Sequence, residues 1–425
     1  MVRGVLTLSA AALLITASSQ AMAGGLERGG YNIDLLFDPS RFAADATATY
    51  VVPQRDLNNA VDTDPTDGLG ANGIGGGASD DVRETESYWV PRLGFKAGLT
   101  EDVDCLAGYG QPWGAHTNPG ANWVGANHNI ETKVESYSLE LTCSYSLDAG
   151  PGQFRIIGGG FYQEVSGFKN RLVAPVPLLA PGAGTGIGGL ELEGDGYGYR
   201  VGAAYEIPDI ALRASLVYNS EVELDDITGS LDLRQIPGAI DPTNPFLGLS
   251  TPIFGQTTMP QSLELKLQSG IAPGWLAFGS VKWVDWSVLQ NVAFCPEVTR
   301  GVAACNFNGG TDVTSLDLLY RDGWTITGGI GHQFSETLSG AVSLTWDRGT
   351  STGIGSQTDT WTVSGGLAYS PTETVELRFG GAVGWLTSGS SGVVVRDGVT
   401  FGDDVSYDFE DDLVSAVQIG AKVRF

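Results

Sequence analysis

The chain has 425 residues, 61 of them glycine, with 17% charged residues and a formal net charge of −26. So acidic a chain excludes nucleic acid as a natural partner. Its charged fraction lies below the quarter or so usual for soluble domains. Beyond the first 25 residues no apolar run approaches the roughly 18 residues that a membrane helix needs.

The first elements read as export signals. Arg3, the apolar stretch "VLTLSAAALLITA" and the small-x-small site Ala21-Met22-Ala23 form a signal peptide over residues 1–23. Residues 24–41, "GGLERGGYNIDLLFDPSR", are too short to be a domain and carry Leu26, Tyr31, Ile33, Leu35, Leu36 and Phe37. Exposed, such a segment would be a liability. It is expected to fold back as an N-terminal hatch inside the remainder of the chain.

Residues 42–425 alternate with a period of two almost throughout. In 361–369 one face is Trp361, Val363, Gly365, Leu367 and Tyr369, against Thr362, Ser364, Gly366 and Ala368. Such alternation marks strands with one apolar face. Fourteen segments qualify, near 42–53, 88–99, 103–112, 134–146, 153–163, 196–207, 210–220, 261–270, 275–287, 323–333, 337–347, 359–370, 373–386 and 412–425. Their connections alternate between tight turns, such as "LTEDVD", "IAPGW" and "SPTET", and long loops, such as 164–195 and 221–260. An even strand count with short turns on one side and long loops on the other predicts an all-β fold, a 14-stranded antiparallel transmembrane β-barrel. In lipid the sheet has to close, because every backbone polar group needs a partner. The final "LVSAVQIGAKVRF" is then the closing strand. The reading implies a bacterial outer-membrane location, outer-membrane lipid as the surroundings, and a monomer.

Aromatic residues fall where two interfacial belts are expected. Trp89, Tyr137, Tyr218, Trp283, Trp324, Trp346, Trp361 and Trp385 lie near the long-loop ends, and Tyr145, Tyr205, Trp275, Tyr369 and Phe425 near the short turns. The opposite strand faces hold Arg92, Lys96, Glu140, Arg155, Arg200, Glu206, Arg213, Glu264, Lys266, Lys282, Glu376, Arg378 and Lys422. Most of these are expected to pair with one another and with the hatch. Of the four cysteines, Cys105 and Cys143 fall on adjacent strands near the short-turn rim, and Cys295 and Cys305 fall within one long loop. Both couples are disulfide candidates.

Two loops are unusually apolar, 171–190 and 236–260. Leu172, Val173, Val176, Leu178 and Leu179 in the first, and Phe246, Leu247, Leu249, Ile253 and Phe254 in the second, could form a greasy groove for a hydrophobic ligand. The third strand, "CLAGYGQPWG", places Gly108, Gly110 and Pro112 in the barrel wall. Glycine weakens a strand and proline removes a ladder hydrogen bond, so an inward kink is expected there, with a sideways exit for ligand. Catalysis finds no support. His116, His128 and His332 lack metal-ligand spacing, no G-x-S-x-G is present, and "GAGTGIGG" lacks the Lys-Ser/Thr of a phosphate loop. No enzyme activity, metal or cofactor is expected.

Three stretches, "YWVPRLGFKAGLTEDVD", "MPQSLELKLQSGIAPGWLAFGSVKWVDWSVLQ" and "YRDGWTITGGIGHQFSETLSGAVSLTWD", together resemble the FadL-type family of outer-membrane transporters for long-chain fatty acids and other hydrophobic compounds. The resemblance implies a hatch-plugged barrel that captures ligand between its third and fourth extracellular loops. It also implies an interior pocket with basic residues for a carboxylate. The "YRDGW" position suggests Arg321 as one such cation. No clear match exists for the other, and Lys169 and Arg171 are the nearest candidates. The expected function is passive uptake of fatty acids or similar hydrophobic molecules. A general diffusion porin and a structural or adhesive surface barrel are the alternatives.

Overall fold

The computed structural model describes residues 25–64, 78–174 and 184–425. The signal-peptide reading therefore lies outside the described residues. Fourteen antiparallel strands form the wall: β1 (Phe42–Pro53), β2 (Tyr88–Gly98), β3 (Val103–Gly110), β4 (Glu131–Ala149), β5 (Gly152–Leu172), β6 (Ile187–Ile207), β7 (Leu212–Asn219), β8 (Ser262–Ala272), β9 (Trp275–Val284), β10 (Gly323–Gln333), β11 (Leu338–Asp347), β12 (Thr360–Tyr369), β13 (Val375–Leu386) and β14 (Asp412–Arg424). Each pairs with its chain neighbour. β1 closes the circle on β14 in continuous register from Ala43↔Arg424 to Pro53↔Val414.

The faces sort as the alternation demands. On β14 Leu413, Val417 and Ile419 are exposed, whereas Val414 and Lys422 are buried. On β12 Val363, Leu367 and Tyr369 are exposed, and Thr360, Thr362 and Ser364 are buried. Trp346, Trp361 and Trp385 face one another in register across three strands. The Trp361 and Trp385 rings stack 6.4 Å apart, and Tyr50 meets Trp89 at 4.9 Å. At the short-turn rim Tyr145, Trp275, Tyr369 and Phe425 are exposed. The Cys105–Cys143 disulfide joins directly opposed residues of β3 and β4 at this end. The Cys295–Cys305 disulfide closes a short segment of an extracellular loop.

Two departures from the expected strands have physical reasons. β4, β5 and β6 run 19, 21 and 21 residues. They continue far beyond the 9–11 residues that cross a bilayer, so much of the expected loop 164–195 is a projecting hairpin. The third strand does not run unbroken to 112. It ends at Gly110, and the chain resumes pairing with β4 only at Gly114–Thr117.

Residues 25–41 fill the lumen. Leu36, Phe37 and Ile33 pack on Leu106, Ile157, Ala204 and Val217 from the wall. Glu27 pairs with Lys282. Asp34 pairs with Lys266 at 3.2 Å and Arg213 at 3.7 Å, and Asp38 with Arg424 at 3.0 Å and Lys422 at 3.4 Å. Lys96 donates to the Asp38 and Ser40 carbonyls at 2.8 and 2.7 Å. Other lumen charges pair within the wall, as in Arg200–Glu140 at 2.6 Å and Arg155 between Asp104 and Glu206.

Candidate functional site

A cavity of about 230 Å³ lies above this plug, among the extracellular extensions of the strands. Its walls are largely apolar. Leu190 and Leu192 come from β6, Leu224 and Ile227 from the strand Val222–Asp232, and Val292 and Phe294 from Asn291–Pro296. Trp123 and Tyr407 close another side. The floor is aromatic. Leu26 lines the cavity, and beneath it Trp286 meets Trp113 at 5.1 Å and Tyr320 at 6.1 Å, both edge-on. Tyr31 continues the stack towards Trp113 and Phe161. Gln163 Oε1 accepts from both the Tyr31 hydroxyl at 2.6 Å and the Trp113 indole at 3.0 Å. A β-carbon on Gly25 would lie 2.6 Å from the Trp286 ring, so only glycine allows this approach.

The charged groups in the wall are Glu84, Lys133, Lys169, Glu193 and Asp317, with His128 beside them. Lys169 sits on β5 seven residues beyond Tyr162, which lies in a row of tyrosines with Tyr137 and Tyr197. Seven residues carry the strand about 23 Å past that row, clear of the bilayer. Lys169 lines the cavity and forms no ion pair among the described residues. Burial, with the neighbouring Arg171 charge, pushes its ammonium down to about 8. Asp404 and Asp317 draw it the other way. Asp404 is engaged by His128 Nδ1 at 3.5 Å, and Asp317 by Asn291 at 2.9 Å. Burial also pushes the His128 imidazole down, so it is neutral at neutral pH. Opposite, Glu84 accepts from the Ser356 hydroxyl and is pushed up by burial.

The three suggested cations separate. Lys169 is in the wall of the cavity. Arg171 donates to the Asn127 carbonyl at 3.4 Å and does not line it. Arg321 is 42% exposed, donates to the Gly349 carbonyl at 2.9 Å and sits 3.9 Å from Asp359. It points away because the adjacent Tyr320 takes the inward position. The seven described apolar loop residues do not line one groove either. Leu172 packs in a cluster with Trp123 and Tyr407. Val173, Phe246, Leu247 and Ile253 pack on the larger cluster around the cavity. Phe254 lies under the Arg300 guanidinium at 4.3 Å, and Leu249 is exposed. Val176, Leu178 and Leu179 lie outside the described residues. Reasoning from sequence missed Glu84, His128, Gln163, Trp113 and Trp286. Only the pair Trp283-x-x-Trp286 carried a signal, since that spacing leaves the strand's alternation.

The wall is interrupted beside this floor. β2 and β3 pair from Gly98↔Asp104 up to Arg92↔Gly110 and no further. Above that point the N-terminal segment takes the partner's place. Gly29 N donates to Gln111 O, Arg28 N to Pro112 O and Gly114 N to Leu26 O, at 2.7–3.0 Å. Arg92 donates to the Gly29 carbonyl from below. Of the suggested kink residues, Pro112 lies in the break, Gly110 at its edge, and Gly108 in paired strand with its α-carbon facing the Glu140 side chain. On the other side of the plug, a chamber of about 1000 Å³ reaches the short-turn rim, lined by Lys96, Asp104, Arg155 and Glu206.

The model of the outer membrane protein transport protein family (OMPP1/FadL/TodX) matches residues 35–390. This chain belongs to that family. Among solved structures, a FadL homologue of Pseudomonas aeruginosa is similar over 95% of this chain and 96% of its own, with a TM-score of 0.74 at 16% identity. The toluene transporter TodX of P. putida is similar over 92% of each chain, with a TM-score of 0.56 at 16% identity. The CymD monoaromatic hydrocarbon channel is similar over 92% of this chain and 90% of its own, with a TM-score of 0.55 at 13% identity. No curated protein matches the sequence. At these identities the likeness is one of fold. Family membership makes the chain an outer-membrane β-barrel transporter of the FadL/TodX type, which serves hydrophobic compounds.

Proposed function

We propose that this barrel takes up hydrophobic monocarboxylates, fatty acids among them, through the cavity above the plug. The observation that carries the reading is Lys169, a cation that forms no ion pair among the described residues, in a wall that is apolar over most of its area. Burying a charge is costly unless it meets a counter-charge. A ligand carboxylate supplies one, and the apolar wall receives the chain. Residues 24–41 act as the hatch that separates cavity from periplasm. Ligand leaves sideways at the interruption between β2 and β3, into the outer leaflet, where each buried CH₂ contributes about 0.8 kcal/mol.

Cavity volume favours a second reading. An engineered cavity of about 150 Å³ holds benzene, so about 230 Å³ suits a single aromatic ring or the head and first part of a longer chain. Small neutral aromatics are the alternative cargo. Mass spectrometry of molecules that co-purify with the folded protein separates the two. A bound carboxylate is expected; neutral aromatics without any acid would overturn the first reading in favour of the second.

A further inference from the structure

Arg28 is a second cation, after Lys169, that forms no ion pair among the described residues. It lies two residues beyond Leu26, which lines the cavity floor, and its backbone N–H is held by Pro112 O within the break of the third strand. The residue is 5% exposed. Its Nε and Nη2 are buried and have no hydrogen-bond partner among the described residues. The guanidinium lies 4.0 Å over the ring of Tyr88, at the end of β2 where pairing with β3 has stopped. The next residue, Trp89, is 57% exposed on the membrane face in the upper aromatic belt. Gly114 makes the room, since a β-carbon there would lie 2.7 Å from Arg28 Nε.

The cations that tie the plug to the wall have carboxylate or carbonyl partners. Lys282 has Glu27, Lys266 has Asp34, Arg424 has Asp38, and Arg92 has the Gly29 and Gly30 carbonyls. A buried guanidinium presents a planar fork suited to a carboxylate. The Tyr88 ring offsets part of its desolvation, but Nε and Nη2 are left without a hydrogen-bond partner among the described residues. The position is between the cavity floor and the level at which an amphiphile's head group rests in the outer leaflet. We infer that Arg28 is a second carboxylate station, which receives the ligand's head group as it leaves the cavity and holds it at the gap while the tail enters the membrane. The inference rests on the reading that the cargo is a carboxylate and exits between β2 and β3.

The test uses whole cells carrying the full-length barrel, with barrel-free cells as blank. Initial uptake of radiolabelled dodecanoate and of toluene is measured for wild type, Arg28→Gln and Arg28→Lys, alongside equilibrium binding of dodecanoate to the purified proteins. Arg28→Gln is expected to slow dodecanoate uptake about tenfold, the scale of one charge-assisted hydrogen bond, and to leave toluene uptake and cavity binding of dodecanoate at wild-type values. Arg28→Lys, which keeps the charge and loses the fork, should restore only part of the dodecanoate rate. Equal slowing of both compounds would overturn the inference and make Arg28 a packing element of the plug. Unchanged uptake of both would also overturn it. Failure of the wild-type protein to bind dodecanoate would instead overturn the carboxylate reading on which it rests.

Discussion

Replacing Lys169 by Met keeps the length of the side chain and removes its charge. An ammonium–carboxylate hydrogen bond contributes about 1.5–3 kcal/mol, so Lys169→Met should weaken dodecanoate binding by about ten- to a hundredfold. The variant should fold as well as wild type, because burial works against the charged form at this position. The same residue predicts a pH response whose sign is fixed. With its ammonium pushed down to about 8, Lys169 is charged below that pH and neutral above it. Dodecanoate affinity should therefore be high at about pH 6.5 and fall as the pH passes upward through 8. A bound carboxylate favours the charged form, which moves the fall somewhat higher in the complex. Calorimetric titration of the purified barrel with dodecanoate across this range, and with toluene in parallel, reads both effects. Toluene affinity should be flat with pH and indifferent to the substitution. Wild-type dodecanoate binding that ignores pH, or a Lys169→Met protein that binds dodecanoate as wild type does, would refute the assignment.

Other expectations concern the plug, the exit and the loops. Gly29→Cys with Val90→Cys brings a Gly29 β-carbon 3.0 Å from the Val90 side chain and 2.7 Å from the Gln111 carbonyl, so the link forms with a local shift of Gln111; relative to the reduced double variant, dodecanoate uptake should fall on oxidation and return on reduction, and uptake indifferent to the link would remove this gap from the pathway. Asp34→Ala leaves Lys266 and Arg213 without their shared carboxylate, a loss of about 3–5 kcal/mol for a buried pair. Planar-bilayer recordings should then show raised ion conductance, and a conductance equal to wild type would mean that the Glu27 and Asp38 ties hold the plug alone. Reducing Cys295–Cys305, which closes a short loop, should remove about 2.7 kcal/mol of local stabilisation and expose the loop to protease without altering the heat-stable migration of the barrel; coupled loss of both would contradict the local role.

The barrel was legible because its constraints are local and repeated. In 361–369 the alternation of Trp361, Val363 and Leu367 with Thr362 and Ser364 admits one register, since a slip by one residue would turn hydroxyls to lipid. The same rule placed the lumen charges on one face, where opposite charges lie close enough that their pairing followed. The site obeys no such rule. Cavity residues come from β5, β6, the loop strands and the N-terminal segment, and nothing periodic links Lys169 to Trp123 or Leu26. Arg321 shows how the reasoning fails: beside Tyr320 in a loop, no period dictates which of the two turns inward, and packing of the aromatic ring decided it. The third strand lies between these cases. Pro112 announced that the ladder would break, because a residue without an N–H cannot be paired there. The identity of the segment that fills the gap could not be read from that strand. It lies far earlier in the chain, at Arg28 and Gly29, whose backbone groups bond to Pro112 and Gln111. A break in a lipid-facing wall has to be satisfied by some other backbone. The unpatterned segment near enough to do so was the one that the composition of residues 24–41 had already assigned to the interior. If ligand leaves through this gap as proposed above, a wall patched by the plug rather than by its own strand opens when the plug shifts, and the ties at Glu27, Asp34 and Asp38 then govern access to the membrane as well as to the periplasm.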